Sequence, residues 1–242
     1  MDDTTTPDGA GPVTVTVTDG VAVIDLDDGK ANALGFDVLA GLESALDRAE
    51  ADDVSAVVIV GREGKFSAGF DLKVMTSGPE GARDMLGRGA LLGLRMYMFP
   101  KPVVLAVTGH ALAMGAILLC CADVRVGADG PFKIGLNEVA IGMPVPGFAV
   151  GVCQDRLAIP AFTAAIQLAR IHSPAEALAA GFLDEVVDVA AVRDRAVEVA
   201  AELGTRLHRG PFRVTRETVR GPVAERLRSE LAADLSVFDV SS

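Results

Sequence analysis

Residues 103–123 read VVLAVTGHALAMGAILLCCAD. Residues 103–109 form an apolar run that is typical of a strand in a sheet covered on both faces. Small residues from Gly109 to Ala113 predict a turn. The apolar run at 111–122 is too short to span a bilayer and predicts a buried helix. A strand, a turn and a helix in this order indicate a layered α/β fold.

The same alternation of strand and helix extends to both sides of this stretch. VTVTVT (13–18) and VAVIDL (21–26) flank Asp19-Gly20, which predicts a β-hairpin with a two-residue turn. AVVIVGR (56–62) predicts a second buried strand. The remaining apolar periodicity predicts helices at 35–52, 80–98, 147–157, 160–170 and 173–181, short strands at 124–130, 131–135 and 182–188, and helix alone from Ala190 onward.

Three segments follow from this pattern. Residues 1–12, MDDTTTPDGAGP, are polar and rich in Gly and Pro, which indicates a disordered lead-in and neither a signal peptide nor a transit peptide. Residues 13–189 are predicted to form an α/β core, and residues 190–242 a helical C-terminal region. The expected location is the cytoplasm.

Charge and cysteine content narrow the possible functions. The formal net charge of −11 disfavours nucleic acid and anionic membranes as partners. The three cysteines, Cys120, Cys121 and Cys153, form no CxxC pair and are expected to be buried thiols. No His/Cys cluster has the spacing of a zinc site, so no metal site is expected.

Two loops of small residues each lead into a predicted helix. The first is FSAGFD (66–71) and the second is GHALAMG (109–115). N–H groups at a helix start have no intrahelical partner and favour negative charge in front of them. Two such starts that face one cavity would form an oxyanion hole. The phosphate-binding patterns GxGxxG and GxxxxGK[ST] are absent, which argues against a nucleotide-binding dehydrogenase.

One carboxylate, Glu138, stands within the largely apolar stretch FKIGLNEVAIGMPVP (132–146). Ionised carboxylates are rarely buried without a partner. Glu138 could cap a helix or pair with a cation in the core. It could also be a catalytic base, because loss of solvent raises the pKa of a carboxyl group and strengthens it as a base.

These segments resemble the crotonase (enoyl-CoA hydratase/isomerase) superfamily over nearly the whole chain. FSAGFDL is similar to the FSAGADL-type signature of that family, and Asp123 and Arg125 fall on the D and R of its G-x-A-x-G-G-G-x-E-L-x-x-x-C-D-x-R segment. IGLNEVAIGMPVP and SPAEALAAGFLDEVV match two further segments, and Ser173 is the predicted N-cap of the helix in the second.

The resemblance implies a crotonase-like ββα spiral core with a helical C-terminal region used for trimer contacts, hence a homotrimer or a dimer of trimers. It implies a coenzyme A thioester as substrate, with no separate cofactor. The thioester oxygen would accept hydrogen bonds from the N–H groups of Phe70 and Met114. Met114 departs from the family, which prefers Gly there, and a side chain at this position could narrow the cavity.

The resemblance also separates hydration from isomerisation. Hydratases of the family use two glutamates, and the first falls at Ile117 while the second falls at Glu138. The 3,2-trans-enoyl-CoA isomerases have an apolar residue at the first position and an IGLNE sequence at the second, as here. A single base that moves a proton from C2 to C4 of a 3-enoyl thioester is therefore the leading hypothesis. A decarboxylase, a hydrolase and a non-catalytic acyl-CoA binder remain as alternatives, and a hydratase is disfavoured.

Coenzyme A contacts are implied for residues that match the family's substrate path. The loop at Lys30 and Ala31 lies along that path in the family, and Lys30 is the first candidate cation for a phosphate, ahead of Arg62, Lys65 and Lys73. The other residues that the resemblance implies for coenzyme A contacts lie in the first motif and are Ala68, Gly69, Asp71 and Leu72. Asp71 is also expected to stabilise a helix start, His110 to be a turn residue, and Asp123 to be structural.

Overall fold

The computed structural model describes residues 11–237. Residues 1–10 and 238–242 lie outside the described residues, so the predicted disordered lead-in falls almost wholly outside them. The strands are β1 (Val13–Thr18), β2 (Val21–Leu26), β3 (Ala33–Leu34), β4 (Ala56–Gly61), β5 (Gly64–Ser67), β6 (Gly69–Phe70), β7 (Val103–Val107), β8 (Gly109–Leu112), β9 (Val124–Ala128), β10 (Ile134–Gly135) and β11 (Glu185–Val187).

Helices connect most of these strands and form the end of the described chain. They are α1 (Phe36–Ala49), α2 (Leu72–Met75), α3 (Pro79–Tyr97), α4 (Met114–Cys121), α5 (Gly147–Arg156), α6 (Ile159–Ile166), α7 (Pro174–Ala180), α8 (Val192–Arg206) and α9 (Arg209–Val237), with 3₁₀ turns at Val139–Ile141 and Val189–Ala191. The alternation of strands and helices, followed by a helical C-terminal region, agrees with the sequence pattern.

A six-stranded sheet in the order β1-β2-β4-β7-β9-β11 forms the centre of the molecule. Strands β1 and β2 are antiparallel, and the others pair in parallel. The predicted hairpin is confirmed. Asp19 and Gly20 both have positive φ, 51° and 78°, which a two-residue hairpin turn of this type requires.

Both faces of the large sheet are covered, which explains its continuously apolar strands. Val58 and Val104 pack in the cluster that contains Val199 of α8. Ile59 and Leu105, the next residues along the same strands, pack in the larger cluster on the opposite face. Successive side chains of a strand point to opposite faces, so a strand buried on both faces shows no polar alternation.

The two motifs expected as loops are short strands, and this part of the prediction is wrong. Residues 64–67 and 109–112 form β5 and β8, which pair in parallel, and residues 69–70 form β6, which pairs with β3. Small residues permit this close approach, because a β-carbon on Gly109 would collide with the Gly64 backbone. Pairing satisfies backbone groups that a buried loop would leave without partners.

Helix starts and packing agree with several expectations. Ser173 caps α7 in a capping box with Glu176, as predicted. The helix predicted within 111–122 is α4, and all its residues are buried. All three cysteines are buried and unbridged, as expected. Within residues 11–237, none of the helices combines the length and the apolar character needed to cross a bilayer.

The long helix α9 is fixed to the core by charged side chains. Asp123, at the start of β9, accepts a hydrogen bond of 2.6 Å from Arg216 and forms an ion pair of 3.0 Å with Arg220. Its Oδ2 also accepts the N–H of Val103. Asp123 is therefore structural, as predicted, and it joins α9 to the large sheet.

Candidate active site

A cavity of ≈ 110 Å³ lies where the two glycine-containing motifs meet the segment that follows β10. Its walls come from α2, α3, α4 and the chain between β10 and α5. Most of the lining side chains are apolar. The lining residues are Ala68, Phe70, Leu72, Met75, Leu86, Ala113, Ile117, Asn137, Glu138, Ile141, Met143, Pro144 and Pro146.

Glu138 is placed in this cavity by β10, which pairs with β8 through Ile134 and Gly135. The chain then turns into the 3₁₀ segment, and Glu138 stands at its start with 7% of its surface exposed. Its side chain caps no helix, and its Oε2 has no hydrogen-bond partner among the described residues. Glu138 is the one charged side chain that lines the cavity in the part of the chain that the structure describes.

Burial raises the pKa of the Glu138 carboxyl above its ordinary value, and the N–H groups of Glu138 and Asn137 offset part of that rise. No ion pair within residues 11–237 involves Glu138, so no nearby cation lowers its pKa. The environment suits a carboxylate that accepts a proton from a ligand better than one that serves as a structural anchor.

The segments that carry the N–H groups of Phe70 and Met114 touch each other. Gly69 has φ of +92°, and a β-carbon built on it would lie 2.7 Å from Ala113 Cβ and 3.2 Å from Met114 N. Met114 is the first residue of α4, where N–H groups have no intrahelical partner. Ala68, Phe70 and Ala113 all line the cavity. The end of β6 and the start of α4 therefore come together at the cavity that Glu138 also lines.

The side chain of Met114 does not line this cavity. It is 1% exposed. A β-carbon built on Gly89 or on Gly93 of α3 would lie 3.7 Å or 3.6 Å from Met114 Cε. The side chain is therefore directed towards α3, and it does not narrow the cavity as its departure from the family's Gly suggested. Phe70, the other residue proposed as a donor, does line the cavity.

Ile117 stands on α4 in the same cavity and is 2% exposed. No second carboxylate within the described residues reaches the space that Glu138 faces. Met75 on α2, Leu86 on α3 and the lining residues of the segment 141–146 were not singled out from the sequence. Their apolar character gives no local signal of function, because it is shared with the rest of the core.

Residues expected to contact coenzyme A fall into two neighbouring places. Ala68 and Leu72 line the cavity. Lys30, Ala31 and Asp71 line an open groove of ≈ 820 Å³, where Lys73 is a second cation. Gly69 lies between the two, against Ala113.

The groove carries carboxylates as well as cations. Asp27, Asp28 and Asp37 line it together with Lys30. Arg62 forms an ion pair of 2.9 Å with Asp27 and donates a hydrogen bond of 2.6 Å to the Lys30 carbonyl. Arg62 therefore fixes the Lys30 loop and neutralises part of the acidic charge beside it.

Two further candidates have structural partners. Asp71 caps α2 by accepting the N–H of Lys73 at 2.9 Å, as expected of a helix start. His110 lies in β8 and not in a turn, and its Nδ1 accepts the N–H of Lys133. It does not line the cavity. No group of three or more His, Cys, Asp or Glu within residues 11–237 is arranged to hold a metal ion.

Comparison with known proteins identifies the family. The family model described as enoyl-CoA hydratase/isomerase matches residues 16–241. The chain belongs to the enoyl-CoA hydratase/isomerase family. The predicted membership of the crotonase superfamily is thereby confirmed.

Curated relatives within the enoyl-CoA hydratase/isomerase family carry names of both activities. The mouse protein named enoyl-CoA delta isomerase 1, mitochondrial, is 33% identical over 224 residues, which are 90% of this chain and 77% of the mouse protein. A Bacillus subtilis protein named probable enoyl-CoA hydratase is 38% identical over 140 residues, which are 57% of this chain and 54% of that protein. Acyl-CoA thioester chemistry is common to these names, whereas the individual reaction differs.

A solved structure of an enoyl-CoA hydratase/isomerase family protein from Pseudomonas syringae has the same fold. It superposes with a TM-score of 0.91 at 39% identity, over 94% of this chain and 98% of that chain. The predicted crotonase-like α/β fold is therefore confirmed. Its characteristic parts here are the β1–β2 hairpin, the large parallel sheet and the helices that follow it.

Proposed function

We propose that this family member shifts the double bond of a 3-enoyl-CoA to the 2-enoyl-CoA. The observation that carries the proposal is the single carboxylate, Glu138, in a cavity where Ile117 takes the place of a second one. Addition of water in this family relies on two carboxylates. Movement of one proton within the substrate needs one base.

The proposed reaction begins when the Glu138 carboxylate removes a proton from C2. The electrons of the broken C–H bond form a dienolate whose negative charge lies on the thioester oxygen. The N–H groups of Phe70 and Met114 are proposed to donate hydrogen bonds to that oxygen. Glu138 returns the same proton at C4, and the double bond then lies between C2 and C3. No water is consumed and the mass is unchanged.

The physical setting supports both halves of this reaction. Burial raises the pKa of Glu138, which narrows the gap to a weak carbon acid. A positioned base contributes a factor of about 10²–10⁴, and an oxyanion-hole donor about 10²–10³. Neither depends on a metal or a separate cofactor, and the coenzyme A is part of the substrate.

The groove beside the cavity is proposed to hold the coenzyme A portion, with Lys30 facing a phosphate and Ala31 and Asp71 along its path. A homotrimer or a dimer of trimers, and a location in the cytoplasm, belong to the same proposal. The C-terminal helices α8 and α9 are the expected source of the trimer contacts.

Hydration is the second candidate, because the Bacillus subtilis relative is named a probable hydratase. The cavity disfavours it through Ile117, which cannot orient water as a carboxylate does. A non-catalytic acyl-CoA binder is a further alternative, which a Met114 side chain that blocked the oxyanion hole would favour. The Met114 side chain is directed towards α3, which argues against such a block of the oxyanion hole.

The test is incubation with 3-hexenoyl-CoA while the absorbance of the conjugated thioester is followed, with mass spectrometry of the product. Wild type should form a 2-enoyl product of unchanged mass. Glu138→Gln should lose a factor of about 10²–10⁴ in rate and still bind the substrate. Glu225→Gln, which changes an exposed carboxylate on α9, should keep full activity. Binding without conversion by wild type, or a product heavier by one water, would contradict the proposal.

A further inference from the structure

Phe70 lies between the cavity and helix α3. Phe70 is one of the residues that line the cavity. On the other side, a β-carbon built on Gly89 would lie less than 3.0 Å from two carbons of the Phe70 ring, closer than real β-carbons approach. Leu86, one helical turn before Gly89, lines the cavity as well. The ring can therefore occupy its place because residue 89 has no side chain.

The cavity beside this ring is small. A cavity of about 150 Å³ lined by apolar side chains takes up one benzene molecule. The present cavity, at ≈ 110 Å³, is smaller. It has room for about four or five carbon atoms by that comparison. Three of its lining residues, Phe70, Met75 and Leu86, have side chains that are unbranched at the β-carbon and able to change rotamer.

We propose that the contact between Phe70 and Gly89 sets the length of the acyl chain that the cavity accepts. This inference rests on the proposed function, because it takes an acyl-CoA as the ligand. C1 and C2 would lie beside Glu138 within this same cavity, so room for about four or five carbons in all makes short acyl groups of about that length the preferred ligands. Longer chains require the ring to move, and Gly89 leaves it no space on the α3 side.

Two substitutions change this boundary in opposite directions. Phe70→Ala removes the ring and extends the cavity towards α3. Gly89→Ala adds a methyl group where the ring now lies, so the ring must move towards the cavity and shorten it. Gly89 does not line the cavity itself. Gly87→Ala is the matched control, because it adds the same methyl group to the same helix against Leu235 of α9 and not against Phe70.

The measurement is calorimetric binding of butyryl-, hexanoyl-, octanoyl- and decanoyl-CoA to each variant, repeated with the matching 3-enoyl-CoAs for turnover. A single methylene group changes discrimination in an apolar pocket by about 10–200-fold. The ratio of decanoyl to hexanoyl affinity should rise at least about tenfold in Phe70→Ala and fall by a similar factor in Gly89→Ala. Gly87→Ala should keep the wild-type ranking.

The outcomes separate this inference from the proposed function. Binding of acyl-CoAs with the same ranking in wild type and Gly89→Ala overturns the inference and leaves the reaction untouched. A wild type that binds no acyl-CoA of any length overturns both. Gly89→Ala alone is sufficient if Phe70→Ala fails to fold. In the double variant the added methyl meets no ring, so its ranking should equal that of Phe70→Ala. If adding Gly89→Ala to the Phe70→Ala variant shifts the preference towards shorter acyl chains, that result would also contradict the inference.

Discussion

The backbone nitrogen of Met114 lies 3.2 Å from the position that a β-carbon on Gly69 would occupy. Residue 69 must therefore be glycine for two reasons. A side chain would press on the first N–H group of α4, and φ of +92° is strained for any L-residue with a β-carbon. The same glycine directly precedes Phe70, so it controls the separation of both proposed oxyanion donors.

Gly69→Ala is expected to reduce the rate of the proposed isomerisation by about 10²–10³, the usual cost of losing one oxyanion-hole donor. The backbone strain should also lower the free energy of unfolding by about 1–3 kcal/mol. Gly64→Ala separates the two effects, because Gly64 has φ of +75° and nothing within 4 Å of an added β-carbon. Gly64→Ala should be destabilised by the backbone strain alone and remain active. Equal activity in both variants would show that the donors do not act as proposed.

The dependence of rate on pH should report the buried base. Glu138 must be ionised to accept a proton, and burial raises its pKa above the ordinary value of 4.5. The rate should therefore rise with pH along a limb whose midpoint lies above 4.5. Measurements of kcat/KM across the acid range, with circular dichroism to show that the fold persists, give the midpoint. A midpoint at or below the ordinary value would contradict an essential desolvated carboxylate.

The same carboxylate should lower the stability of the fold at neutral pH. A carboxyl whose pKa is raised on folding binds more protons in the native state, so stability falls as the pH rises from the unfolded pKa through the folded one. Glu138→Gln removes this cost and should melt at a higher temperature than wild type at pH above both values. The difference should vanish below pH 4.5, the ordinary pKa of glutamate from which burial raises that of Glu138. Thermal melts at both pH values provide the measurement, and a variant that melts lower at neutral pH would refute it.

Asp123 and Arg216 should contribute much more to stability than an ion pair on the surface. Arg216 is 6% exposed, so Asp123→Asn leaves a buried guanidinium without its counter-charge. The expected loss is about 3–5 kcal/mol in urea unfolding. Glu230→Gln on the same helix breaks an exposed pair with Arg226 and should cost less than about 1 kcal/mol. Similar losses in the two variants would mean that Asp123 does not anchor α9.

Lys30 offers a test of the groove. Lys30→Ala should raise the KM for the coenzyme A thioester about fivefold, the equivalent of about 1 kcal/mol for an exposed charge pair, with kcat unchanged. The effect should shrink at high salt, because exposed charges are screened. Lys133→Ala removes an exposed cation that does not line the groove and should leave KM unaltered. An equal change in both variants would indicate a general field effect and not a phosphate contact.

The sequence was most informative where one local rule applied. Asp19-Gly20 predicted the hairpin because two positive φ angles leave few other choices, and Ser173 with Glu176 predicted a capped helix start. Glu138 could be singled out because an ionised carboxylate is rarely buried within an apolar segment unless it has a partner or a function. In each case the signal lies within a few neighbouring residues.

The sequence was least informative where distant segments meet. β5 and β8 looked like loops, because their pairing joins residues far apart in the chain and glycines carry little strand propensity. The Met114 side chain could not be placed, because its direction depends on the glycines of α3. Gly89 could not be singled out from the sequence, because its role depends on the Phe70 ring that packs against it in the fold.

The central sheet and the candidate active-site cavity are built from different kinds of elements. The six-stranded sheet holds the longest strands, whereas part of the cavity wall comes from the two-residue strand β6, the four-residue helix α2 and the 3₁₀ turn at Val139–Ile141, beside α3 and α4. Substitutions around the cavity can therefore accumulate without disturbing the sheet that keeps the chain folded. Under the proposed function, this division would let single substitutions change the preferred acyl group while the central sheet stays as it is.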